Sequence, residues 1–170
     1  ACGGGGAVLG GVGTGGTGAF SSGAISGFGS IIVNGVHYDD SGANVCDDGP
    51  GDDSACGQSN SALRLGMVVD VSGSDVANDA QGVPSSVASR IVFRSEIKGP
   101  ITAIDPVAGT LTVLGQTVQV GAGTVFDLSL ANGLASLASG KVVEVYGFVD
   151  ANGVYNATRI ELEDSTTAYK

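Results

Sequence analysis

Along most of the chain, valine, isoleucine and threonine recur in short alternating runs bounded by glycine, asparagine, aspartate and serine. A period of two is that of a strand with one buried face, so these runs predict short strands joined by turns and no long helices. In the second half the pattern predicts strands near 99–104, 109–114, 116–120, 141–149 and 154–163. Between the third and fourth of these, residues 127–138 read as a short helix or turn.

The first half repeats the second. Gly23-Ala24-Ile25-Ser26 returns as Gly99-Pro100-Ile101-Thr102, and Val33-Asn34-Gly35 returns as Val113-Leu114-Gly115 within a hairpin pattern. Gly66-Met67-Val68-Val69-Asp70-Val71 returns as Gly140-Lys141-Val142-Val143-Glu144-Val145. Ala88-Ser89-Arg90-Ile91 returns as Ala157-Thr158-Arg159-Ile160. Four matches in one order mark a duplicated module. Five strands with a short helix before the fourth is the pattern of a small OB-like barrel, in which curling the sheet removes most exposed edges. The expected fold is therefore all-β: two tandem OB-like barrels of five to six strands, at 20–97 and 98–164. An extended Gly-rich arm over 1–19 precedes them and a tail over 165–170 follows.

This strand order, with Ala1-Cys2-Gly3 at the start and the run Gly23 to Val36, resembles a bacterial domain-of-unknown-function family whose OB-like modules recur in tandem in secreted proteins and lipoproteins. The resemblance implies a fold and an exported setting. It carries no catalytic or ligand residues to transfer.

Composition narrows the function classes. Thirty glycines against 14% charged residues favour turns and close backbone approaches. With 17 acidic and 7 basic residues the net charge is −10, which repels nucleic acid. No apolar run is long enough to span a membrane as a helix. Cys46 and Cys56 bracket a loop of Asp, Gly, Pro and Ser without an apolar anchor, and a disulfide closing it would stabilise by about 2–3 kcal/mol in an oxidising compartment. Cys2 is the odd cysteine. Its setting looks like the end of a lipobox, and two readings stand: a lipidated anchor, or a free or intermolecular thiol.

Candidate chemistry is sparse. His37, the single histidine, follows a hairpin turn and reads as a strand position. Asp39, Asp40, Asp70 and Glu144 are the carboxylates to weigh for paired-acid hydrolysis. Asp70 and Glu144 occupy equivalent repeat positions among valines, and so read as solvent-facing. Asn156-Ala157-Thr158 fits a glycosylation pattern but falls within a repeat strand. In the stapled loop, Asp47, Asp48, Asp52 and Asp53 offer hard oxygen ligands to calcium, although their spacing departs from the EF-hand loop and an ordinary solvated loop is the plainer reading. No other cofactor is expected.

In the arm, Val8, Leu9, Val12 and Phe20 interrupt the glycines. Such a segment reads either as a tether or as a strand donated to the sheet edge of another subunit, which would build an open homopolymer. The sequence thus predicts a non-enzymatic, secreted or surface-exposed structural protein, a fibre or matrix subunit joined through this arm. The alternative is a monomeric surface lipoprotein whose barrels bind glycan or divalent cations.

Overall fold

The structure, a computed structural model, describes residues 18–48, 56–164 and 169–170. Cys2, Val8, Leu9, Val12, Asp52 and Asp53 lie outside the described residues. Thirteen strands are described: β1 (Ala19–Gly27), β2 (Ile31–Val33), β3 (Val36–Asp39), β4 (Asn44–Asp47), β5 (Cys56–Gln58), β6 (Val68–Gly73), β7 (Ala77–Asn78), β8 (Pro84–Phe93), β9 (Ile97–Asp105), β10 (Thr110–Val113), β11 (Gln116–Phe126), β12 (Val142–Val149) and β13 (Tyr155–Glu163).

They form two closed five-stranded barrels in tandem. In the first the order is β3-β2-β1-β6-β8, and the parallel pair of β8 with β3 closes it. The second repeats this as β11-β10-β9-β12-β13, again closed by a parallel pair, β13 with β11. This is the connectivity of OB-like barrels anticipated from the strand order.

Alternation explains the cores. Ile25, Val33, Val69, Val71 and Ile91 are at most 1% exposed in the first barrel, and their repeat mates Ile101, Val113, Val143, Val145 and Ile160 are buried to the same degree in the second. Each such side chain contributes about 1.5–3 kcal/mol by leaving water. The hairpin turns also match: Asn34 and Gly35 have φ of 52° and 78°, Leu114 and Gly115 of 50° and 78°. Positive φ at both central residues is what a type I′ turn demands of a tight hairpin.

Both barrels bend at one glycine on the fourth strand. The ladder slips between Ser72 and Gly73 and between Tyr146 and Gly147. A Cβ on Gly73 or Gly147 would lie 2.3 Å from the carbonyl oxygen of Val87 or Asn156, respectively. No side chain fits there, so the bulge needs glycine.

Residues 127–138 form the short helix or turn expected of them, a 3-10 turn at Gly133–Ser136, and Leu130 and Leu137 anchor the loop to the second core. One feature differs from expectation: the third strand of the first barrel is split. Where β11 is one strand whose ladder with β13 slips between Val120 and Val125, the first barrel uses β3 and then β4 along β8, with Asp40 to Ala43 between them.

Candidate interaction site at the barrel junction

The barrels meet where the segment leading into β6 lies against β13. Gly66 has φ of +83°, and a Cβ there would come within 2.5 Å of the Thr158 carbonyl oxygen. That close approach lets the Thr158 hydroxyl donate to the Gly66 carbonyl at 2.6 Å and the Arg159 guanidinium to the Leu65 carbonyl at 3.0 Å. Arg159 is only 7% exposed, and Glu161 on the same strand neutralises it. A buried cation of this kind is tolerated only when paired and hydrogen-bonded.

Tyr146 also belongs to the junction. It points outward from β12, away from its own core, and at 2% exposure it joins the apolar cluster of the first barrel with Leu63, Met67 and Phe93. Burial pushes its phenol well above the ordinary range, and the carboxylates of Glu144, Glu161 and Asp47 push the same way. The side chain is therefore neutral at physiological pH and acts as an apolar plug.

Beside the plug lie the acids of the outer face. One oxygen each of Glu144, Glu161 and Glu163 lie within 4.8 Å of one another. Three carboxylates so placed could hold a hard cation, but cations are already among them: the Lys98 amine is 3.3 Å from Glu144 and 3.6 Å from Glu163, and Arg159 holds Glu161. Burial raises the Glu144 pKa above the usual carboxylate range, against the lowering effects of a Ser95 hydrogen bond and of Lys98. The expectation that Asp70 and Glu144 face solvent is thus corrected. Their side chains are 20% and 14% exposed, and Asp70 pairs with Arg94 at 2.8 Å. Both face outward from the barrel, as alternation requires, yet flanking strands and long charged side chains cover them.

Between the barrels a hollow of about 610 Å³ opens, walled by Phe28, Leu65, Met67, Val125, Phe126 and Leu128. Arg64, Arg159, Asp127 and Glu161 bring two charges of each sign to it. A second hollow, of about 270 Å³, shares Leu65 and Val125 with the first and extends past Ile25. Phe28, Leu65 and Leu128 are 52%, 39% and 96% exposed, which brings three large apolar side chains to one place on the surface. Such convergence marks interaction sites more often than scattered exposure does.

The remaining candidates are dispersed. Cys46 and Cys56 form a disulfide joining β4 to β5. Asp47 ends β4, and the Asp48 carbonyl accepts from the Lys170 amine at 3.0 Å. Phe20, grouped with the arm from the sequence, is instead the second residue of β1 and pairs with Ser72 of its own barrel. His37 lies partly exposed in β3 opposite Ser85. Asp39 is held below the usual carboxylate range by hydrogen bonds from Ser41, in a turn. These groups converge on no common point.

Sequence reasoning missed Tyr146, Arg159 and the wall of the hollow. The available signal was the repeat itself, since Tyr146 stands where the first copy has Ser72. A further repeat was also legible: Asp79-Ala80-Gln81-Gly82-Val83 and Asp150-Ala151-Asn152-Gly153-Val154 form the same turn, each aspartate accepting from two backbone amides.

Among the described residues, no helix is long and apolar enough to cross a membrane. No curated protein and no solved structure matches the chain. Residues 98–161, which make up nearly all of the second barrel, match a family described as a domain of unknown function, DUF5666.

Proposed function

We propose that this protein is a non-enzymatic structural subunit of an extracellular assembly, joined to its neighbours through the N-terminal arm. The observation that carries the reading is the junction. Tyr146 of one barrel fills the core of the other, so the two behave as one stiff block, the property a fibre or matrix subunit needs. Two features add support. The Cys46–Cys56 disulfide suits an oxidising, extracellular compartment. Residues 1–36 carry no Asp, Glu, Lys or Arg, which leaves the arm free of the charge that makes the blocks repel one another.

The second reading is a surface lipoprotein, anchored at Cys2, whose barrels bind glycan or divalent cations. It draws on the Glu144, Glu161 and Glu163 cluster, but Lys98 and Arg159 already compensate those charges, which favours the structural role. Negative-stain microscopy with sedimentation velocity separates the two. The structural reading expects concentration-dependent, high-mass assemblies of the full chain. Monomers at every concentration, with a calcium-dependent rise in melting temperature, would overturn it.

A further inference from the structure

We infer that the hollow between the barrels receives residues 7–12 of the N-terminal arm of a second copy, an inference that rests on the arm-joined assembly proposed above. The hollow and its smaller neighbour share Leu65 and Val125 as walls and together make a trough along which Phe28, Leu65 and Leu128 are exposed. Its occupant must be apolar, slender and acceptable to a protein of net charge −10. Ala7-Val8-Leu9-Gly10-Gly11-Val12 meets all three requirements. Three branched apolar side chains match the walls, and the two glycines keep the backbone thin.

Electrostatics points the same way. Two copies repel through most of their acidic surface, and that repulsion is smallest where both partners are locally neutral. The trough brings together two of the chain's 7 basic residues, Arg64 and Arg159, balanced by Asp127 and Glu161. The arm brings no charge at all.

Chain direction favours a second copy over the arm's own barrels. The arm joins β1 at Gly18, whereas the trough runs from Ala24 to Phe28, about 20–33 Å along that strand. Between Val12 and Gly18 there is roughly 20 Å of fully extended chain, and folding back would require the arm to retrace β1. Docking on a neighbour requires no reversal. Each subunit then offers an arm at one place and a trough at another, a contact that does not close on itself and so extends into a filament.

Complementation of two full-length variants tests this. Leu128→Asp changes a side chain that is 96% exposed, so the fold has no reason to respond; Leu9→Asp lies in the arm. In sedimentation velocity each variant alone is expected to run as a monomer. An equimolar mixture should give a one-to-one dimer and nothing larger, because one copy retains an intact arm and the other an intact trough. If Leu128→Asp assembles like the unaltered chain while Leu9→Asp does not, the trough is not the acceptor and arm-driven assembly stands. If the mixture stays monomeric, the trough assignment fails too. If Leu9→Asp assembles normally, or the unaltered chain never assembles, the arm reading itself falls and the trough goes with it.

Discussion

Where the first barrel carries Ser72, Val92 and Arg94 on its outer face, the second carries Tyr146, Glu161 and Glu163 at the equivalent places. Inside, the same comparison finds Ile25 against Ile101, Val69 against Val143 and Ile91 against Ile160. A close-packed interior penalises any change of volume, so the duplicated cores kept their shape. The outer faces were free to diverge, and the second became a junction. Even the shared acid shows this: Asp70 draws its cation from just beyond the fifth strand, at Arg94, whereas Glu144 draws it from the first strand, at Lys98. What is preserved is the pairing and not its source.

The sharpest way to break the comparison is to exchange its most unlike pair. Tyr146→Ala should lose about 3–5 kcal/mol, the usual result of deleting a buried aromatic ring. Ser72→Ala, at the exposed mate, should change stability by less than about 0.5 kcal/mol. Denaturant midpoints of the two variants measure the contrast.

A smaller effect separates two glycines in the same backbone state. Gly66 and Gly140 have φ of +83° and +85°, so alanine at either costs about 1–2 kcal/mol in the left-handed region. Nothing lies within 4 Å of a Cβ on Gly140, while one on Gly66 meets the Thr158 carbonyl across the junction. Gly66→Ala should therefore cost about 1–3 kcal/mol more than Gly140→Ala. Equal losses would mean that the junction is loose at that point.

The smallest effect concerns pH. Burial raises the Glu144 pKa, so the folded state holds this proton to higher pH than the unfolded chain does. The group's contribution to stability is then greatest below the ordinary glutamate range, and it declines as pH rises through the raised value. Glu144→Gln removes that dependence. Relative to the native protein, the variant should gain stability from mildly acid to neutral pH, read as a growing difference in urea midpoints.

Much of this was legible in the residues themselves. Alternation and the Val33-Asn34-Gly35 and Val113-Leu114-Gly115 turns are local signals; they placed the strands of the second barrel, and the repeat carried their order over to the first. The Cys46–Cys56 bridge was legible for a similar reason, since a short polar loop lacks other means of closure. The trough was not legible. Phe28, Leu65 and Leu128 are far apart in the chain, and each alone looks like an ordinary exposed loop residue. Only the docking of the segment at Gly66 onto Thr158 brings them together. Tyr146 was hidden because an outward-facing tyrosine on a strand reads as surface until a second barrel covers it.

The claim on which the rest depends is that the second barrel completes the core of the first. Differential scanning calorimetry of the full chain tests it directly. One transition, with calorimetric and van't Hoff enthalpies equal in the native protein and a split into two in Tyr146→Ala, is the predicted result. Two well-separated transitions in the native protein would contradict it, because barrels that melt independently share no core.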